Sequence, residues 1–245
     1  MIQKPVAGPN EGLVKHLVGV LKVSLDLAER MRISDPLIIR SLHLASLLHD
    51  IGKSLKMYQD EPYFVDKGVF PGHEILSALI FLNISDELGS LSDEEKCIIL
   101  YSIIMHHQAM SSMYDRLLYL SGRFVCTKEE EYLKNTLLEI GKYIHVSPNR
   151  ILTLYHKSVI PLTRISAISM KRKQARIREF MKCFKPAFQL MERSSKDTIL
   201  KARLCCAILM IADTYVAMKN RGEEPSSSYR KMVFSLLEDK KTAKA

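Results

Sequence analysis

The stretch "LASLLHDIGKSL", residues 44–55, sets an imidazole, His49, beside a carboxylate, Asp50, at the end of an apolar run. The apolar residues before it recur at helical spacing, so both polar groups fall where a core is expected. Neighbouring residues on a helix point about 100° apart, so the two can face one centre only if the helix ends there. Gly52 fits such a break, and Lys53 follows one turn after His49. The "GKS" at 52–54 mimics the end of a phosphate-binding P-loop, but that motif needs a glycine where Leu47 stands, and a strand before it.

Working outward, helical periodicity dominates the 245 residues. "EGLVKHLVGVLKVSLDLAERM" repeats apolar residues three and four apart, and "KARLCCAILMIADTYVAMKN" reads as a mostly buried helix. Asp35 before Pro36 is a helix start, as is Ser147 before Pro148. Ser92 with Glu95, and Thr127 with Glu130, have capping-box spacing. No hairpin dipeptide separates two strand-like runs. The chain is therefore expected to be all-α, with roughly eight or more helices and no internal repeat. Residues 58–72, with Pro, Gly and several aromatics, are expected to form a loop beside the His-Asp pair. One main domain is expected over 1–222. Residues 223–245 then form a Pro/Ser linker, a short helix and a frayed basic end.

Nearly half the residues (47%) are hydrophobic, enough for a substantial core, and the net charge of +9 tilts the chain toward a polyanionic partner. The N-terminus lacks the pattern of a signal peptide, and the apolar runs are too short to span a bilayer. The five cysteines, Cys97, Cys126, Cys183, Cys205 and Cys206, form no C-x-x-C pair. They read as reduced residues of a cytoplasmic protein, neither metal ligands nor a disulfide frame.

Further His and Asp residues share the setting of His49 and Asp50. His16 lies on the first helix, His73 in "PGHEILSA", His106 and His107 in "IIMHHQAM", and Asp213 in "LMIADTYVAM". A buried ionised carboxylate needs a partner or a cation. No cation stands at the helical neighbours of Asp213, so either another helix supplies the partner or a metal does. A lone buried histidine is usually a satisfied core residue, and His43, His145 and His156 read as core or surface groups. Five histidines and two aspartates on apolar helix stretches are harder to treat so. Imidazole with carboxylate suits Mn²⁺, Fe²⁺, Co²⁺, Ni²⁺ or Zn²⁺; Mg²⁺ would need waters and substrate phosphates to add oxygen.

The order His, His-Asp, Asp resembles the HD superfamily of metal-dependent phosphohydrolases. "HDIGK", the "GHE-x-x-SA" at 72–78 and the "HH" at 106–107 are similar to the Cas3 HD nuclease of CRISPR type I systems, in its free-standing double-prime form. The resemblance runs from about residue 10 to about 220 and implies an HD-domain helical bundle with a two-metal site in its core. It implies two divalent metal ions (Mn, Ni, Fe, Co or Mg). His16, His49, Asp50 and Asp213 would hold the first. Asp50 would bridge to a second held by His73, His106 and His107. Lys53 would sit beside the pair, placed for a phosphate oxygen. Hydroxide formed from bound water would attack phosphorus in line. The implied activity is hydrolysis of single-stranded DNA or RNA in CRISPR interference. The implied partners are a separate helicase subunit and a crRNA-guided surveillance complex, since the chain has no motor motif of its own. An HD phosphohydrolase of small or cyclic nucleotides is the rival reading, and a basic non-enzymatic adaptor is a third.

For the polyanion itself, the run from Arg164 to Lys185 gathers Lys171, Arg172, Lys173, Arg176, Arg178, Lys182 and Lys185 against a single acid, Glu179. On a helix this is a basic face, either a solvated surface or a phosphate-backbone contact. Tyr58, Tyr63, Phe64 and Phe70 are either base-stacking platforms or anchors of the 58–72 segment.

Overall fold

The computed structural model describes residues 4–107 and 112–238. The expected frayed basic end, 239–245, lies outside the described residues. The chain is all-α with a small hairpin at its start. Among the described residues, twelve α-helices follow one another: α1 (Leu13–Arg30), α2 (Pro36–Leu48), α3 (Lys56–Gln59), α4 (Pro62–Lys67), α5 (His73–Ile84), α6 (Asp93–Met105), α7 (Met113–Arg123), α8 (Glu131–Ile140), α9 (Pro148–Ala167), α10 (Lys173–Arg193), α11 (Lys196–Arg221) and α12 (Ser228–Glu238). Among the described residues, no helix is long and apolar enough to cross a membrane.

Local chemistry accounts for the helix starts. Asp35 Oδ1 accepts from the Leu37 amide at 2.9 Å, with Pro36 as the first helical residue of α2. Ser92 and Glu95 close a reciprocal capping box on α6. Thr127 and Glu130 do not. Helix α8 begins only at Glu131, and the Glu130 carboxylate accepts from the amides of Thr127 and Lys56 instead. Two other expectations are corrected. Residues 58–72 are not one loop, since they end α3 and include all of α4, which closes on Gly68 at φ 62°. Residues 6–12 form a hairpin, β1 (Val6–Gly8) antiparallel to β2 (Glu11–Gly12), turning through Pro9 and Asn10. Asn10 takes the left-handed conformation (φ 58°) that its short polar side chain tolerates.

Helix α11 runs through the centre, packed on α6, α1 and α2; α5 packs on α6 and α9, and α10 lies over α7. Helix α5 is buried along nearly its whole length, and α2 from Ser41 onward except for the partly exposed His43. The tail helix α12 returns onto α11 through Val233 and Leu237. This arrangement brings the ends of α2 and α6, the starts of α1 and α5 and the C-terminal half of α11 to one place.

Candidate metal centre

Helix α2 stops at Leu48, and a 3-10 turn, Ile51–Ser54, leads the chain away. Gly52 permits this. A Cβ there would run into the His73 carbonyl and the Ser77 amide of α5, and the Gly52 amide donates to Ser77 Oγ at 2.8 Å. The break lets His49 and Asp50, both fully buried, face the same interior point. His106 likewise caps the end of α6. His73 begins α5 after Gly72, whose φ of 79° suits only glycine comfortably. His16 faces inward from the first turn of α1 and Asp213 from the C-terminal half of α11.

Seven side chains thus form two groups that share Asp50: His16, His49, Asp50 and Asp213, and Asp50, His73, His106 and His107. Within each group the donor atoms lie within 4.8 Å of one another. Asp50 Oδ2 is 3.3 Å from His16 Nε2 and 3.5 Å from His49 Nε2. Its other oxygen, Oδ1, is 2.8 Å from His73 Nε2 and 3.5 Å from His106 Nε2. Asp213 Oδ1 is 3.0 Å from His16 Nε2 and 3.8 Å from His49 Nε2. Two donors each about 2.1 Å from one cation are about 3.0 Å apart at a right angle and about 3.4 Å apart at the tetrahedral angle. The observed separations bracket those values.

The imidazoles are oriented from behind. His49 Nδ1 meets Ser46 O at 2.9 Å, His73 Nδ1 meets Phe70 O at 2.5 Å, and His106 Nδ1 meets Ile103 O at 2.6 Å. Each carbonyl lies three residues back. His16 Nδ1 meets Glu11 Oε1 at 2.8 Å. A proton held on Nδ1 leaves Nε2 as a bare acceptor. The Nε2 atoms of His16, His49, His73 and His106, and Asp50 Oδ1, are buried and make no hydrogen bond among the described residues. The carboxylate contacts above are close but misaligned for hydrogen bonding. Buried polar atoms are seldom left so. Their number and convergence fit a donor set for divalent cations.

Charge in the centre is tightly coupled. Burial would raise the Asp50 carboxyl, but Lys53, His49, His73 and His106 outweigh it and hold it well below the usual carboxylate range. Asp213 is likewise held well below, with His16 and His49 overriding its burial. Without a bound cation, burial lowers His16, and Asp213, Asp50 and Glu11 more than reverse it, so its Nε2 becomes a bare acceptor only when a cation displaces the proton there. His107 is pushed far down by burial and by His106 and His73. Lys53 is buried, not a surface lysine, and its Nζ lies 2.5 Å from Asp50 Oδ2 and 5.4 Å above the Phe70 ring.

Two further carboxylates support the centre, Glu11 with no local sequence signal and Glu74 within the "GHE" at 72–74. Glu11, fully buried in β2, accepts from Asn220 Nδ2 at 2.9 Å and Arg221 Nε at 3.0 Å as well as facing His16. Its carboxyl is lowered, because His16, Asn220 and Arg221 outweigh burial. Glu74 pairs with Arg116 at 2.8 Å beside His73.

A cavity of about 440 Å³ opens onto the centre at Lys53, His73, His107 and Asp213. A larger one, about 590 Å³, lies between the α6 and α11 N-termini and α10 and touches none of the seven. The chemistry belongs to the smaller. Elsewhere, all five cysteines are free and none joins a metal group among the described residues. Tyr58, Phe64 and Phe70 are buried anchors, while Tyr63 is exposed. The basic run is not one helical face. Lys171 and Arg172 lie in the turn before α10, and Arg176 is buried. Its guanidinium donates to Ile168 O (2.6 Å), Phe124 O (2.8 Å), Ser166 O (2.9 Å) and Ser121 O (3.5 Å), so it cannot meet a polyanion. Lys171, Arg172, Lys173 and Arg178 are exposed.

Against known proteins, the HD domain family matches residues 13–143. The chain belongs to the HD-domain family. Proteins of this family are typically metal-dependent phosphohydrolases. The matched span holds six of the seven side chains; Asp213 lies beyond it, on α11. No curated protein and no solved structure matches the chain.

Proposed function

We propose that this HD protein is a two-metal phosphodiesterase acting on unpaired nucleic acid, DNA first and RNA second. The observation that carries the reading is the set of four unsatisfied Nε2 atoms and the unsatisfied Asp50 Oδ1 converging at the His/Asp cluster. His16, His49, Asp50 and Asp213 would hold one divalent cation, and Asp50, His73, His106 and His107 another. Such a pair supplies Lewis acidity, a nucleophile at neutral pH and a clamp on the attacking and leaving oxygens of an in-line displacement.

The chain's own residues do the rest. Glu11 and the three backbone carbonyls fix the imidazole tautomers. Lys53, at the cavity wall, steadies Asp50 and offers Nζ protons to a phosphate oxygen. Val69, Phe70 and Pro71 line the cavity with apolar surface beside the reacting group. Arg116 lies on α7, and six residues further along that helix, about 9 Å by its rise, Lys173 packs over Gly122. A cationic path from the cavity toward Lys171, Arg172, Lys173 and Arg178 supports a backbone-binding role for that surface. The free-standing Cas3-type HD nuclease of CRISPR interference is the member we favour, working in the cytoplasm with a separate helicase subunit and a crRNA-guided surveillance complex.

The modest size of the cavity favours one other reading, hydrolysis of small or cyclic nucleotides. Side-by-side turnover separates the two. Mn²⁺-loaded protein should cleave an unpaired oligonucleotide faster than mononucleotides or cyclic dinucleotides, and Asp50→Ala should cleave none. Turnover confined to the small substrates would replace the nuclease reading, and activity retained by Asp50→Ala would remove the centre from the chemistry.

A further inference from the structure

We infer that the start of the C-terminal helix completes a binding subsite for the nucleotide next to the scissile linkage, with Arg116 and Arg230 on its phosphate and Tyr229 against its base. This rests on the phosphodiesterase reading above.

The cavity at the metal centre has a wall from the tail. Ser227, Tyr229 and Arg230 line it together with His73, His107 and Asp213. The sequence places these residues in a separate tail, yet α12 folds back on α11, and Tyr229 lines the same cavity as Thr214, the neighbour of Asp213. The residue is 40% exposed, which leaves surface for a base to contact.

Arg116 gives an independent sign of a ligand. It is only 8% exposed and lines the same cavity, and Glu74 engages one of its terminal nitrogens. Its Nε has no hydrogen-bond partner among the described residues. A guanidinium presents five N–H donors in a fixed fork that suits phosphate, so a single carboxylate leaves most of this one unused. Arg230 stands at the rim, held at 2.8 Å by the half-exposed Glu223 and free to exchange that partner for a phosphate at little cost. A volume of about 440 Å³ falls in the range of small-ligand pockets, roughly 300–1,000 Å³, which suits a flipped-out or terminal nucleotide and not a duplex.

The test compares full-length Mn²⁺-loaded variants on a labelled unpaired oligonucleotide. Arg230→Gln should raise KM roughly fivefold to tenfold with kcat and metal content nearly unchanged, the loss of one charged hydrogen bond at a partly exposed site. Tyr229→Ala should raise KM about tenfold and Tyr229→Phe should restore it. On an oligonucleotide abasic at the flanking position, the Tyr229→Ala effect should vanish, which a merely structural role would not produce. Arg116→Ala would strand Glu74, so Arg116→Lys is used instead, and it should also raise KM. Equilibrium binding of a cleavage-resistant phosphorothioate oligonucleotide gives a second readout. If the wild type binds it through Arg230 and Tyr229 but hydrolyses nothing, the subsite stands and the hydrolytic reading falls. If the wild type cleaves and none of these variants changes KM or binding, or if the wild type does not bind at all, the subsite is overturned.

Discussion

The His/Asp centre and Arg176 are both polar and both buried, but four imidazole nitrogens and one carboxylate oxygen of the first lack hydrogen bonds among the described residues, while the second donates to four carbonyls. The two sites have opposite physical meanings. A saturated buried guanidinium ties segments together: it joins the ends of α7 and α9 to α10. An unsatisfied convergence of acceptors costs stability unless something binds there. The difference separates groups kept for folding from groups kept for chemistry, although sequence alone marks both simply as charged or titratable.

That contrast is exposed to experiment. The largest effect is expected from Asp50→Asn, because Asp50 belongs to both groups. Hydrolysis should fall about a thousandfold or more, and bound metal by elemental analysis should drop from two equivalents toward none. Full metal content in that variant would mean that Asp50 does not bridge. Arg176→Met should do the reverse. Urea unfolding should show a loss of about 3 kcal/mol, since several buried carbonyls lose their donor, while kcat per folded molecule stays near wild type. An activity loss with unchanged stability would make Arg176 part of the site after all. Glu11→Gln tests the support behind His16, and titration with Mn²⁺ should show metal affinity reduced by roughly 10- to 100-fold without loss of the fold. The smallest effect belongs to the surface. Lys171→Gln should leave stability within about 0.5 kcal/mol, and should slightly weaken oligonucleotide binding and flatten its salt dependence.

Much of the fold was legible because its causes are local. Apolar spacing marked the long helices, and Asp35, Ser92 and Ser147 marked starts. Helices α3 and α4 escaped because four and six residues are too few for periodicity to speak. The hairpin escaped because Pro9-Asn10 is a turn pair but not the Asn-Gly or Asp-Gly pair that marks a hairpin, and its strands of three and two residues are too short to show alternation. At the site, His49, Asp50, His73, His106 and His107 were visible as polar residues breaking apolar stretches near helix ends. Glu11 was not visible. It meets Arg221 across 210 residues, and no spacing rule reaches that far. Arg176 misled for the same reason, since its carbonyl partners on α7 lie more than 50 residues away and its neighbours in sequence are solvent-facing cations. The tail's part in the cavity depends on how α12 packs, and composition shows only a linker and a helix.

The most direct measurement is anomalous diffraction from crystals of the full chain soaked in Mn²⁺. Two peaks are expected roughly 3.5–4 Å apart, one on each side of Asp50, the first touching His16, His49 and Asp213 and the second His73, His106 and His107. No peak at Asp50 under saturating metal, or a single ion bound by side chains outside these groups, would contradict the centre on which the proposed chemistry depends.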